Sequence, residues 1–139
     1  MKILILEPDY SGRKFMVSSM SAYGECDVTI DDMETVNVFM AALDKGEPYD
    51  LICLDVMKPA TDGYRTLKVI RDIEKQHGIE DGDRVKIIMM IAINEQKNMR
   101  KVFEMGYTVY CVKPVDSDKL KNVLKKLKLF GNNVYSDKL

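Results

Sequence analysis

The sequence predicts an α/β domain built around a five-stranded parallel sheet with helices on both faces. Five short apolar runs recur along the chain, and the stretches between them carry the 3.6-residue period of amphipathic helices. The runs are nearly continuous in hydrophobicity, which is typical of parallel strands covered on both sides. Because crossovers between parallel strands are right-handed in nearly all proteins, few topologies remain. The doubly wound, flavodoxin-like order with five β–α units (βα5) is the simplest of these.

The predicted strands are spaced at nearly regular intervals. In order they are KILIL (2–6), CDVTI (26–30), YDLICL (49–54), KIIMMIA (86–92) and VYCV (109–112). The third interval is longer because the polar stretch HGIEDGD (77–83) precedes the fourth strand. One strand and one helix therefore fill each interval.

Helical periodicity is clear in two of the connecting segments and shorter in a third. The apolar positions are Val36, Phe39, Met40 and Leu43, then Leu120, Val123, Leu124 and Leu127, then Met99, Val102 and Phe103. Asp31 or Asp32, and Asn94, stand where helices would begin and could cap their free N–H groups. Gly46 and Gly106 stand where helices would end.

The length and composition fit one ordinary folded domain. The chain has 139 residues, of which 46% are hydrophobic and 31% charged. We place the domain at residues 1–130. The segment 131–139, GNNVYSDKL, begins with a glycine and two asparagines and is predicted to be a C-terminal surface tail.

Charge and cysteine content exclude several classes of protein. A net charge of -1 argues against a nucleic-acid-binding domain. No apolar run approaches the ~18 residues of a membrane-spanning helix, and an acid follows the first apolar run too closely for a secretory signal. Cys26, Cys53 and Cys111 are too few and too widely spaced for a disulfide framework or a zinc site. Buried, reduced thiols and a cytoplasmic location are expected.

Chemically reactive side chains stand at the ends of three predicted strands. Glu7 follows the first strand, Asp55 ends the third and Lys113 follows the fifth. Ligands of open α/β sheets bind beyond the carboxyl ends of the strands, so these three groups should share one edge. A carboxylate there can attack phosphorus and form an acyl phosphate. A lysine, and Mg²⁺ held by one or two carboxylates, would balance the charge of the transferred group.

The spacing around these residues resembles the receiver domain of two-component response regulators, particularly the stand-alone kind similar to chemotaxis regulators. Asp55 is followed four residues later by Pro59 and eight residues later by Gly63, as in that family's acceptor loop. Lys113 closes the fifth strand, and Tyr110 stands at the family's aromatic switch position. The resemblance covers residues 2 to 128.

The resemblance implies a role for each of these groups. Asp55 would accept the phosphoryl group, Lys113 would contact it, and Mg²⁺ would bind Glu7, Asp55 and the backbone carbonyl of Met57. The chain would be a signalling domain and not an enzyme. Its partners would be a histidine kinase or phosphotransfer protein and a downstream protein. In this family the face formed by helix 4, strand 5 and helix 5 binds partners or forms homodimers.

Two positions depart from the family pattern. Pro8 stands where the family has a second acid, a principal Mg²⁺ ligand. Ile91 stands at the end of the fourth strand, where the family has a threonine or serine that hydrogen-bonds the phosphoryl group. Lys58, three residues after Asp55, adds a cation beside the site. These departures predict weak Mg²⁺ binding or none, and weak coupling of Tyr110 to phosphorylation.

Two functions therefore stay open. The first is a stand-alone receiver that accepts a phosphoryl group on Asp55 and signals by protein–protein contact. The second is a pseudo-receiver, which binds a protein independently of phosphorylation. A hydrolase of the haloacid-dehalogenase kind is disfavoured, because Met57 stands where those enzymes carry a second aspartate.

Two side-chain roles also stay open. Glu7 could serve only as the salt-bridge partner of Lys113. The lysines of the final helix fit either a solvated face or a protein contact; they are Lys119, Lys121, Lys125, Lys126 and Lys128.

Overall fold

Strands and helices alternate along the described part of the chain. The computed structural model describes residues 1–56 and 62–130, and of residues 128–130 only the main chain. The strands are β1 (Lys2–Leu6), β2 (Glu25–Thr29), β3 (Leu51–Asp55), β4 (Lys86–Ile91) and β5 (Val109–Val112). The helices are α1 (Tyr10–Met20), α2 (Asp32–Asp44), α3 (Gly63–Gln76), α4 (Met99–Val102) and α5 (Ser117–Phe130). Short 3₁₀ turns cover Asp81–Asp83, Ile93–Asn98 and Phe103–Met105.

The five strands form one parallel sheet in the order β2-β1-β3-β4-β5. This confirms the predicted doubly wound, flavodoxin-like fold. The predicted first and fifth strands match the observed ones, and the other three differ by one or two residues at their ends. The third strand begins at Leu51 and includes Asp55, so this carboxylate belongs to the sheet itself.

Each face of the sheet has its own hydrophobic core. Leu6 lies in a cluster with Phe39 of α2, whereas Ile5 lies in a cluster with Met16 of α1 and Leu124 of α5. Complete burial of one such side chain contributes about 1.5–3 kcal/mol. Because the central strands are packed on both faces, their carboxyl ends are held in fixed positions.

The predicted helix boundaries are partly confirmed. Asp31 caps α2, since its side chain accepts a hydrogen bond from the Glu34 N–H at 2.8 Å. Gly46 follows α2 with φ 74°, and Gly106 follows the last 3₁₀ turn before β5 with φ 98°. Glycine is favoured at both positions because a Cβ atom strains a left-handed backbone.

The predicted cap at Asn94 is wrong. Asn94 lies inside the 3₁₀ turn Ile93–Asn98, and α4 is reduced to the four residues Met99–Val102. Neighbouring side chains hold this turn: the Tyr64 hydroxyl donates to Glu95 Oε2 at 2.8 Å, and Gln96 Nε2 donates to the Tyr110 hydroxyl at 3.2 Å. These tertiary contacts outweigh the local capping tendency of Asn94.

Two of the three cysteines are buried as predicted, Cys53 and Cys111. Cys26 is only half-buried, which corrects the prediction. The reason is its place on β2, an edge strand with β1 as its sheet neighbour.

Within residues 1–56 and 62–130, no helix is long and apolar enough to cross a membrane. The predicted tail, 131–139, lies outside the described residues.

Candidate functional site

The carboxyl edge of the sheet brings Asp55 and Lys113 into contact. Asp55 is the last residue of β3 and Lys113 directly follows β5. Lys113 Nζ donates to Asp55 Oδ1, forming an ion pair between residues 58 positions apart in sequence. The Asp55 side chain is fully buried, while that of Lys113 is 23% exposed. This pair is the centre of the candidate site.

Burial and the neighbouring Lys113 shift the pKa of Asp55 in opposite directions. Burial in the protein raises the pKa of the Asp55 carboxyl, and the nearby carboxylate of Asp9 also raises it. The hydrogen bond and the positive charge of Lys113 lower the same pKa, but the upward effect of burial is larger. Asp55 therefore resists ionisation and depends on Lys113 when it is charged.

Glu7 lies near this pair but does not bind Lys113. The possible salt bridge between Glu7 and Lys113 is not formed, because Lys113 forms its ion pair with Asp55. The Glu7 carboxylate instead accepts the Asp9 N–H at 3.2 Å. Burial raises the pKa of Glu7 most, the Asp9 N–H lowers it, and the charge of Asp55 raises it further. Glu7 and Asp55 thus repel each other across the same edge of the sheet.

The loop between β1 and α1 is held by its own hydrogen bonds. Asp9 caps α1 by accepting the Gly12 N–H at 2.9 Å. Arg13 Nη1 donates to the Pro8 carbonyl at 2.8 Å and to the Glu7 carbonyl at 3.2 Å. The carboxylate of Glu7 and that of Asp9 are therefore both engaged by nearby main-chain groups.

Sequence reasoning missed the roles of Gly12 and Arg13. A Cβ atom on Gly12 would lie 2.6 Å from Glu7 Cδ, so the absence of a side chain at Gly12 makes room for Glu7. Arg13 lies one helical turn after the cap Asp9, a spacing that places it near the start of α1. That spacing does not by itself indicate that the guanidinium reaches back to main-chain carbonyls.

The connection from β3 to α3 is described only at its ends. Met57, Lys58 and Pro59, to which the resemblance assigns a metal ligand and acceptor-loop positions, lie outside the described residues. Gly63 begins α3 and lies close to the site: a Cβ atom on it would be 2.8 Å from the Asp55 carbonyl oxygen and 2.8 Å from Val56 Cγ2. This close approach explains why glycine stands eight residues after Asp55.

The end of β4 offers no hydroxyl group to the site. Ile91 is the last residue of β4 and is fully buried in a hydrophobic cluster. Tyr110, on the neighbouring strand β5, is 6% exposed and packs edge-to-face against Tyr107 with ring centroids 6.2 Å apart. Its hydroxyl accepts the hydrogen bond from Gln96 already described. Both of the predicted switch positions are thus occupied by packed side chains.

The described residues at this edge offer few side-chain ligands for a Mg²⁺ ion. Residues 1–56 and 62–130 contain no group of three or more histidine, cysteine, aspartate or glutamate side chains that could hold a metal. Asp55 binds Lys113, Glu7 binds the Asp9 N–H, and Pro8 has no side-chain oxygen. The Mg²⁺ site predicted from Glu7, Asp55 and the Met57 carbonyl stays a prediction, because Met57 lies outside the described residues.

The chain belongs to the response regulator receiver domain family, whose sequence profile matches residues 3–125. Receiver domains are signalling domains of two-component systems, and they interact with histidine kinases or phosphotransfer proteins. They generally bind Mg²⁺ at an acidic pocket. Because the chain belongs to this family, the carboxyl edge of its sheet is the region to compare with the acidic pocket of other receiver domains.

Curated relatives contain a similar segment within longer proteins. "Osmosensing histidine protein kinase SLN1" of Saccharomyces cerevisiae is 26% identical over 125 residues, which cover 88% of this chain and 10% of that protein. "Probable transcriptional regulator ycf27" of Guillardia theta is 32% identical over 120 residues, covering 86% of this chain and 42% of that protein. This chain thus spans less than half of the length of these relatives.

Solved structures share the same fold. The receiver domain of Ssk1 from Saccharomyces cerevisiae, in a co-crystal structure with the histidine phosphotransfer signaling protein Ypd1, has a TM-score of 0.77 and 24% identity. That comparison covers 96% of this chain and 94% of the other. Chemotaxis protein CheY4 of Vibrio cholerae has a TM-score of 0.70 and 21% identity, covering 90% and 96% of the two chains. At such identities the likeness establishes the fold.

Proposed function

We propose that this chain is a pseudo-receiver: a receiver domain that binds a protein partner without depending on phosphorylation of Asp55. The observation that carries this proposal lies at the end of β4, where Ile91 is fully buried in a hydrophobic cluster and supplies no hydroxyl for a phosphoryl group. Pro8, next to Glu7, supplies no side-chain oxygen for a divalent cation. The ion pair between Asp55 and Lys113 is compatible with either candidate function.

The charges at the site disfavour phosphoryl transfer. The transferred group carries negative charge on its equatorial oxygens, which needs compensation by metal ions and a lysine. Here the incoming group would meet the carboxylates of Glu7 and Asp9, and the charge of Asp9 raises the pKa of both Glu7 and Asp55. Pro8 supplies no replacement ligand for a divalent cation.

The packing at Ile91 disfavours a phosphorylation-dependent switch. A hydrogen bond to a charged group contributes roughly 1.5–3 kcal/mol, so a missing hydroxyl weakens the switched state by about 10- to 150-fold. Tyr110 is already buried and bonded to Gln96. The surface formed by α4, β5 and α5 would therefore have the same conformation whether or not Asp55 is modified. We place the partner contact, or a homodimer contact, on this surface.

A stand-alone phosphoacceptor is the second candidate, and one observation favours it. Asp55 and Lys113 keep their positions at the ends of β3 and β5 and touch each other, as an acceptor and its lysine would. In that case a histidine kinase or phosphotransfer protein would donate the phosphoryl group to Asp55. The output would be a contact with a downstream protein, and neither candidate is an enzyme acting on a separate substrate.

Acetyl phosphate separates the two candidates. The full chain is incubated with acetyl phosphate and Mg²⁺ over a wide concentration range, and the intact mass is measured, with Asp55→Asn as the control. The pseudo-receiver predicts no phosphoryl adduct on the natural chain. An adduct that Asp55→Asn abolishes would establish the phosphoacceptor instead.

A double variant tests whether the two departures from the family cause the loss. Pro8→Asp combined with Ile91→Thr should gain Mg²⁺ affinity and a phosphoryl adduct under the same conditions. A double variant that folds normally but stays inert would show that these two positions are not where the natural chain is impaired.

A further inference from the structure

A second candidate site lies at the opposite edge of the sheet from Asp55. A cavity of about 530 Å³ opens between the residues that follow α1, one face of α5 and the residues at or just before the starts of β1, β3 and β4. This size is within the range of small-molecule sites, which run from roughly 300 to 1,000 Å³. Nothing in the proposed function uses this cavity.

The cavity has an apolar lining. Among the described residues, Leu51 of β3 and two residues of α5, Leu124 and Leu127, contribute to it, together with Ala22 after α1. The three leucines are also part of the packed core, so this wall is rigid. Ala22 is exposed and has a small side chain, which leaves the entrance open.

The polar groups around the cavity are mostly cationic. Lys86, at the start of β4, and Lys121 and Lys125, on α5, line it. Within the described residues, none of these three lysines has a carboxylate at ion-pair distance. The one acid in the described lining, Asp50, already accepts the main-chain N–H of Lys2 at 2.7 Å. An excess of uncompensated positive charge therefore surrounds an apolar hollow.

Stabilisation of α5 by positive charge explains only some of the lysines around the cavity. Lys125 lies towards the carboxyl end of α5, where a positive charge interacts favourably with the helix dipole. Lys86 begins a strand, so that explanation does not apply to it. The three lysines come from two separate elements and meet only around the cavity.

We propose that this cavity binds a small amphiphilic anion, with an aliphatic or aromatic body against the leucines and a carboxylate or phosphate near the lysines. The proposal does not depend on whether Asp55 is phosphorylated. Burial of the apolar body would supply most of the affinity, at about 25 cal/mol per Å² of apolar surface removed from water. The lysines would select an anionic head over a neutral or cationic one.

Calorimetric titration with decanoate tests the proposal, with decanol and decylamine as matched neutral and cationic ligands. Decanoate should bind, and decylamine should not. Lys121→Gln combined with Lys125→Gln should weaken decanoate binding by about 10-fold, since each partly exposed charge contributes modestly. Lys14→Gln combined with Lys101→Gln, two exposed lysines on other helices, should leave binding unchanged. Ala22→Trp should block the entrance and abolish binding.

Several results would overturn the proposal. These are an absence of decanoate binding, equal affinity for decanoate and decylamine, or binding that neither Ala22→Trp nor the Lys121/Lys125 variant changes. Binding that appears only after deletion of residues 131–139 would overturn it too, because the chain's own tail would then compete for the cavity. Asp55→Asn should have no effect, which keeps this test separate from that of the proposed function.

Discussion

Lys113 and Asp55, 58 positions apart in sequence, form an ion pair across the carboxyl edge of the sheet, and the aspartate is fully buried. The pair joins the end of β3 to the end of β5, with β4 between them. Both candidate functions, the acceptor and the pseudo-receiver, contain this contact. Its energetics can therefore be measured without deciding between them.

Removing Lys113 should destabilise the protein strongly. Lys113→Ala breaks the ion pair of the buried Asp55 carboxylate, and we expect the free energy of unfolding to fall by about 3 kcal/mol. Adding Asp55→Asn should recover much of this loss because it removes the buried negative charge. Urea denaturation measures all three variants. Lys14→Ala, at an exposed position on α1, is the matched control and should change stability by less than about 0.5 kcal/mol. Equal effects of the two alanine variants would contradict the prediction.

The pH dependence of stability should reveal the raised pKa of Asp55. The folded protein holds the Asp55 proton more tightly than the unfolded chain does, so this group stabilises the fold at acid pH. That contribution is lost as the pH rises through the folded pKa. The stability of the natural chain relative to Asp55→Asn should thus decrease as the pH rises above 3.8, the ordinary pKa of an aspartate. Denaturation of both proteins at several pH values provides the comparison, and a relative stability that rises with pH would show that Lys113 dominates over burial.

Gly63 should tolerate no side chain. A Cβ atom there would lie 2.8 Å from both the Asp55 carbonyl oxygen and Val56 Cγ2, so Gly63→Ala should destabilise by about 1–3 kcal/mol through overpacking. Gly82 offers a control, because a Cβ atom on it would meet nothing within 4 Å. Thermal unfolding should therefore show a clear decrease for Gly63→Ala and almost none for Gly82→Ala. Similar unfolding temperatures for the two variants would argue against the close approach of α3 to Asp55.

The three thiols should differ in reactivity. Cys26 is half-buried on the edge strand, whereas Cys53 is fully buried and Cys111 is 4% exposed. Burial also raises the pKa of Cys111 to about 11, which leaves little of the reactive thiolate at neutral pH. Titration of the native protein with a disulfide reagent should modify Cys26 first, and unfolding should expose the other two. Rapid reaction of Cys26→Ser with the reagent would contradict this order.

The ends of the strands show how much of this structure could be predicted from sequence patterns. The apolar runs located all five strands to within one or two residues, because a buried parallel strand requires a continuous hydrophobic segment. Asp55 and Lys113 were assigned to one edge from the fold alone, and they do touch. The four-residue α4 was not foreseen, since its shape depends on tyrosine hydroxyls from α3 and β5.

The order of residues along the chain was sufficient to predict a doubly wound sheet and the family to which the chain belongs, since hydrophobic periodicity and motif spacing are local properties. Only the folded structure decided that Lys113 binds Asp55 and leaves Glu7 to a main-chain N–H. It also decided that lysines from a strand and a helix meet around an apolar cavity. Competition among charged groups depends on distances and burial in three dimensions, which no local pattern of residues records.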